Sequence, residues 1–272
     1  MGSDPAADLE PAAIHPTAIV EAGAAIGPGC RIGPYCVIGP DVRLGAGCVL
    51  HSHVVIGGAT TIGEGTSVYP FAALGLPPQH RCHAGERTEL VMGARNTVRE
   101  YATISPGTVA GGGRTRIGSD CFFMMHAHVA HDCTLGDGVI MANCATLAGH
   151  CTAGENVVIG GLAAVHQFVR IGRGAMIGGL AGVVADVIPY GMVVGERAAL
   201  TGLNLVGLKR RKAERAEIRG LRAAFEAIFR GEGTLAERVR AAKARHDGNG
   251  LVAELAGFIE AESTRSLTLP PG

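Results

Sequence analysis

The sequence predicts a mainly β fold, a parallel β-helix of hexapeptide repeats followed by a C-terminal α-helical region, and three observations carry the prediction. The first is a period of six. Ile14, Val20, Ile26, Ile32, Ile38, Leu44, Leu50, Ile56, Ile62, Val68 and Leu74 fall six residues apart without a slip. Met92, Val98 and Ile104 resume the count, and a third run goes from Ile117, Phe123 and Val129 through to Ile177 and Val183. The second observation is composition: 42 glycines, no Trp, 47% hydrophobic and 18% charged residues. Such a chain has enough apolar surface to offset its ordering entropy, which excludes disorder. Collagen is excluded because glycine does not recur at every third position. The third is a change of period after Val183, where Ile218, Leu221, Phe225 and Ile228 take helical spacing.

Residues 1–12 are expected to form a flexible N-terminus. The segment Met1 to Glu10 carries Asp4, Asp8 and Glu10 and no apolar run, which predicts neither signal peptide nor membrane insertion and therefore a cytoplasmic location. From 13 to 190 the six-residue unit matches a short strand plus a corner, with three strands in each coil of a prism. Strands stacked about 4.8 Å apart make this column roughly 40 Å tall. Glycine follows the apolar position in Ile26-Gly27, Ile32-Gly33 and Ile159-Gly160, where a corner needs a permissive backbone. Cys30, Cys36, Cys48, Cys121, Cys133 and Cys151 each precede a repeat position by two residues, so they share its inward face and act as small core fillers. Two interruptions predict loops, at about 75–91 and about 107–116, the second marked by Gly111-Gly112-Gly113. Residues 191–272 form the predicted helical region. Gly231 and Gly233 end its first long helix, Thr234 and Glu237 open a second through a capping box, and a third covers Leu251 to Glu262. The formal charge is zero, so no global field draws nucleic acid to the protein.

Five of the eleven histidines, His126, His128, His131, His150 and His166, are concentrated in the third run. Counted in coils of eighteen residues, His131, His150 and His166 fall within one residue of a common edge on three successive coils. Two chemistries are open to such a cluster. One is general base catalysis by an imidazole. The other is a zinc site of the γ-carbonic-anhydrase type, built from His126 and His131 with His80 or His83 upstream.

The wording around these histidines is more specific. His126-Ala-His128-Val-Ala-His131-Asp132-Cys133, Leu147-Ala-Gly149-His150, Ala164-Val-His166-Gln167-Phe168 and Gly207-Leu-Lys209-Arg210-Arg211 together resemble the UDP-N-acetylglucosamine 3-O-acyltransferase family of lipid A biosynthesis, over about residues 14 to 230. The resemblance implies a left-handed prism and a homotrimer with active sites between neighbouring copies. It implies direct transfer of a 3-hydroxyacyl group from acyl carrier protein to a UDP-sugar, with no metal and no cofactor. His131 would be the general base, Asp132 would orient its imidazole, and the Gly149 amide would stabilise the oxyanion. Gln79 matches the family, His128, His150, His166 and Gln167 match positions lining the sugar or pantetheine cleft, and His80 and Cys82 stand at positions that in the family contact the sugar or its phosphate. Asn204, Arg210 and Arg211 match positions near the nucleotide or carrier end, and Gly179 falls where acyl length is set.

Four positions depart from the family pattern. His80 stands where the family usually has Asp, Cys82 where it has Lys, Val206 where it has Glu, and His126 where Asn is common. Lost carboxylate and ammonium groups redirect acceptor choice, because buried polar groups discriminate by leaving a wrong partner unpaired. Transfer to a different nucleotide sugar, such as the 3-amino analogue, is the alternative this raises.

Overall fold

The structure, a computed structural model, describes residues 10–271, a left-handed parallel β-helix joined to a C-terminal helical region. The N-terminal segment expected to be flexible lies, over residues 1–9, outside the described residues. Most strands are two residues long, and each full coil gives one strand to each of three sheets. The eleven-stranded sheet runs from Ala13–Ile14 to Ala199–Leu203, the nine-stranded sheet from Ile19–Val20 to Gly182–Val183, and the eight-stranded sheet from Ala25–Ile26 to Arg170–Ile171. Pairing is parallel and one coil apart: Ala13 with Arg31, Ile19 with Val37, Ala25 with Arg43.

The repeat positions point inward because side chains alternate along each short strand. Ile38, Ile56, Leu74, Ile104, Val129, Leu147 and Val165 form one buried column, and full burial of each contributes about 1.5–3 kcal/mol. The six cysteines in phase with the repeat are buried free thiols, while Cys82 and Cys144 are exposed. Several corners place a non-glycine residue in the left-handed region, including His126, Asp132, His150 and Phe168 (φ +60° to +66°). This costs roughly 1–2 kcal/mol per residue. Stacking of like corners from coil to coil offsets it. Along one corner the exposed rings of Tyr35, His53, Phe71, Tyr101 and His126 stack at 4.9 to 5.0 Å.

The chain leaves the prism after Ala73–Leu74 and returns at Glu89–Met92, and leaves again after Thr103–Ile104 to return at Arg114–Ile117. Register survives both excursions, since Ser67 pairs with Thr97 and Thr97 with Phe122. The second excursion holds a single turn, Val109–Gly111, capped by the Thr108 side chain.

Residues 191–194 and 199–203, placed in the helical region by the sequence, form strands joined by a turn. Gly191–Val194 pairs in parallel with Met176–Ile177 and antiparallel with Ala199–Leu203. Buried Val193 and Leu200 thereby cover the open end of the core, where an unpaired edge would otherwise face water. Helix α1 (Leu205–Arg210) follows, then α2 (Arg215–Arg230), α3 (Leu235–Arg245) and α4 (Gly250–Glu260). The last three bury Leu221, Phe225, Ile228, Val239, Val252 and Leu255, and Thr234 with Glu237 forms the reciprocal capping box of α3. After α4 the chain doubles back as a strap on the prism: Asp186 N donates to Ser266 O, and Thr268 N to Asp186 O, both at 2.8 Å.

Candidate active site

Asp132 and His150 occupy left-handed corners one coil apart, and His131 precedes the first of them. The His150 amide donates to the His131 carbonyl at 3.0 Å, which locks the two corners together. Their rings meet edge to face at 5.1 Å. The coil count therefore places His131 beside His150. The third histidine predicted on this edge, His166, follows the strand Ala164–Val165 and makes its contact elsewhere, with Arg265 Nη2 at 2.8 Å. In its place His80, from the first excursion, packs edge-on against His131 at 4.9 Å.

Asp132 is the buried anchor, its side chain 1% exposed against 13% for His131. Its Oδ1 accepts from the Thr108 amide at 2.7 Å, and its Oδ2 accepts from the Thr108 hydroxyl at 2.6 Å and lies 2.8 Å from His131 Nδ1. Its own amide donates to Thr115 Oγ1 at 2.8 Å. Burial pushes the carboxyl up, but the hydrogen bonds from Thr108 and His131 outweigh it and hold the group below the usual carboxylate value. An ionised carboxylate only accepts. The proton of the shared bond therefore sits on His131 Nδ1, and in the neutral ring the lone pair is on Nε2. His150 Nε2 lies 3.8 Å from the same carboxylate. Burial lowers the pKa of His150; Asp132 opposes this, while His131 and His80 add to it.

Gly149 lies against the lone-pair side of His131. A Cβ there would sit 2.5 Å from Cε1 and 2.9 Å from Nε2, so only glycine allows this approach. The Gly149 amide donates to no group among the described residues. On the adjoining strand, His128 Nδ1 is 2.7 Å from Thr103 Oγ1, and burial first, then the charge of His131, lowers its pKa. Phe168 stacks on His150 at 4.5 Å. Gln167 is exposed between Phe168 and His166. Gln79 and Cys82 are exposed on the first excursion, which His83 Nδ1 and the Ala84 amide close through Glu86 Oε2 at 3.0 and 2.9 Å.

The remaining predicted residues lie toward the helical end. Gly179 is exposed beside Leu180, and a Cβ there would meet Gly161 O at 3.2 Å. Asn204 caps α1, accepting from the Gly207 amide at 2.9 Å and donating to Gly174 O at 3.0 Å. Arg210 is exposed, whereas Arg211 lies half-buried over the Tyr190 ring at 5.6 Å, and burial lowers its pKa. His126 stacks on Tyr101 at another corner, so the structure does not gather His126 with His131 as a zinc triad would require. The ligand-type atoms of His131, Asp132 and His150 do lie within 4.8 Å of one another, but the carboxylate is already committed to Thr108 and His131.

Thr108, Thr115 and Arg265 belong to the constellation but to none of the motifs that single out the histidines, whereas Phe168 enters only as the end of the motif around His166. For Thr108 the only cue is its place beside the triple glycine. The backbone of Gly111 closes over Asp132, where a Cβ would clash with the carboxylate.

The family described as "Udp N-acetylglucosamine O-acyltransferase; Domain 2" matches residues 186–268, and "Bacterial transferase hexapeptide (six repeats)" matches 23–58 and 114–149. A protein of Caulobacter vibrioides, named acyl-[acyl-carrier-protein]--UDP-N-acetylglucosamine O-acyltransferase, is 57% identical over 95% of this chain and 98% of its own length. A Thermodesulfovibrio yellowstonii protein of the same name is 47% identical over 81% of this chain and 86% of its own. The solved UDP-N-acetylglucosamine acyltransferase from Campylobacter jejuni superimposes with a TM-score of 0.89 at 38% identity, covering 95% of this chain and all of that one. That of Arabidopsis gives 0.82 at 34% identity, over 94% and 99% of the two chains.

Proposed function

Since the chain belongs to the UDP-N-acetylglucosamine O-acyltransferase family and is an acyltransferase, we propose that it moves a 3-hydroxyacyl group from acyl carrier protein to the 3-hydroxyl of UDP-N-acetylglucosamine in lipid A biosynthesis. The observation that carries the mechanism is the 2.8 Å bond between His131 Nδ1 and Asp132, beside a glycine whose amide is unpaired among the described residues. His131 Nε2 takes the proton of the sugar hydroxyl as its oxygen attacks the thioester carbon. The carbonyl oxygen becomes an oxyanion that accepts from the Gly149 amide. Collapse of this intermediate breaks the carbon–sulfur bond, and the imidazolium returns its proton to the departing thiolate. Asp132 remains ionised and offsets the transient charge of His131. The lowered pKa of His150 keeps a second positive charge away from the base.

We read His128, His166 and Gln167 as the cleft for sugar and pantetheine, Arg210 and Arg211 as its basic end, and Gly179 as the open floor of the acyl groove. No metal ion or cofactor enters the scheme. Charge neutrality fits a protein whose partners are a carrier protein and a UDP-sugar and not nucleic acid, and no helix among the described residues is long and apolar enough to cross a membrane. The exposed ladder from Tyr35 to His126, continued by Leu162 and Leu180, supports assembly as a homotrimer, because stacked rings left in water favour burial against another copy.

One observation favours a second acceptor, the 3-amino analogue: His80, not a carboxylate, packs against the ring of His131. Mass spectrometry of products formed with 3-hydroxyacyl carrier proteins of several lengths, with both sugars in competition, separates the two. An ester on UDP-N-acetylglucosamine supports the first reading and an amide the second. Activity that survives His131→Ala in an intact protein would refute both mechanisms.

A further inference from the structure

We propose that Arg265, on the C-terminal strap, is a positioning residue that fixes His166 in the tautomer with Nε2 protonated, so that this imidazole offers the cleft a hydrogen-bond donor and not a base. The assignment of a cleft role to His166 rests on the acyltransferase reading; the assignment of its tautomer does not.

His166 Nδ1 has two neighbours. Arg265 Nη2 lies at 2.8 Å and the Gln167 carbonyl oxygen at 3.3 Å. They demand opposite proton positions. A guanidinium has donors only and stays protonated, so Nδ1 facing it must accept. A carbonyl has lone pairs only, so Nδ1 facing it must donate. The contact to Arg265 is the shorter and has a charged donor, which makes it the stronger of the two. Nδ1 therefore keeps its lone pair, and the ring hydrogen is left on Nε2.

Arg265 is delivered to this point by a built anchor. Its amide donates to Ser263 Oγ at 3.0 Å, and the Ser263 hydroxyl donates to Asp186 Oδ2 at 2.7 Å. Beyond it, Ser266 O and Thr268 N bond the main chain of Asp186. Asp186 is fully buried and also takes the Arg170 amide at 2.8 Å and Nε at 2.7 Å. The strap is thus held on both sides of Arg265 by bonds that do not involve its guanidinium, so the side chain can be changed while the strap stays docked. A groove of about 580 Å³ separates Glu262, Ser263 and Thr264 of the strap from Phe168 and Arg170 of the prism, and Phe168 is the ring stacked on His150. The strap therefore borders the same corner as the proposed base.

The test is ¹⁵N-histidine NMR on the intact protein, with the His166 resonances assigned by their loss in His166→Gln. The wild-type ring is expected to show an acceptor Nδ1 and a protonated Nε2. Arg265→Ala should shift it toward Nδ1–H, donated to the Gln167 carbonyl, and Arg265→Lys, which restores a donor without an acceptor, should return the wild-type signature. In steady-state assays Arg265→Ala should raise KM for one substrate about three- to tenfold with a smaller change in kcat, and the lysine variant should recover most of it. A wild-type spectrum with protonated Nδ1, or one unchanged by Arg265→Ala, would overturn the proposal. Were the wild-type protein to acylate neither sugar, the acyltransferase reading would fail while the spectra still decided the tautomer.

Discussion

Adding a single methyl group at Gly149 tests how tightly the proposed base is held. The Cβ of Gly149→Ala would lie 2.5 Å from His131 Cε1, 2.9 Å from Nε2 and 3.0 Å from Nδ1. Carbon atoms in ordinary contact stand about 3.5 Å apart, so the ring must retreat by about 1 Å. It has little room to do so. Asp132 holds Nδ1 at 2.8 Å, His80 stands edge-on at 4.9 Å and His150 at 5.1 Å. Displacing a catalytic group by about 1 Å costs about 10²-fold in rate, or about 2.7 kcal/mol of activation free energy. Breaking the charged hydrogen bond to Asp132 adds to that loss, since such bonds contribute about 1.5–3 kcal/mol. We expect kcat to fall about 10³- to 10⁴-fold while overpacking lowers stability by only about 1–3 kcal/mol. Initial rates of acyl transfer, with urea unfolding run in parallel, measure both. A folded variant with kcat within about threefold of wild type, its His131–Asp132 bond intact, would refute the argument that the glycine exists to admit the imidazole.

Three other outcomes follow from the same structure. Asp186→Ala removes a buried carboxylate paired with Arg170 and bonded to Ser263, and should cost about 3–5 kcal/mol and expose the strap to proteolysis; a loss under about 1 kcal/mol in denaturant would count against it. His128 and His150 have lowered pKa values in the folded protein, mainly through burial, and Asp132 is lowered by its hydrogen bonds against burial, so each binds protons more readily when unfolded. Their stabilisation is present above the unfolded pKa, about 6.5 for His and about 3.9 for Asp, and is lost as pH falls below it. The urea midpoint should therefore decline from about pH 7 to pH 5, and His128→Gln should flatten that slope; a midpoint that rises on acidification contradicts the assignment. Gly257 is exposed within α4 with open space where a Cβ would go, so Gly257→Ala should raise stability by up to about 1 kcal/mol and leave the rate of acyl transfer unchanged.

The period of six determined the coils, because a strand pair and a corner repeat locally and an inward side chain every sixth residue leaves its mark on composition. Eighteen residues per coil also put His131 beside His150, since vertical stacking converts sequence distance into contact by arithmetic alone. Where the chain departs from the repeat, the arithmetic stops. Thr108 reaches Asp132 from an excursion whose path no periodicity dictates, and His80 takes the place beside His131 that the count reserved for His166. Residues 191–194 and 199–203 lack the repeat, and what makes them strands is the exposed end of the prism, a boundary that exists only once the column has formed. Asn204, matched by resemblance to a ligand position, caps α1 by means of its own side chain. Arg265 meets a histidine 99 residues away because the C-terminal strap folds back onto Asp186. The amino-acid sequence by itself determined the column and the place of His131 on it; tertiary packing alone decided which groups surround that imidazole, since loops, caps and strap are positioned by long-range contacts that no local period encodes.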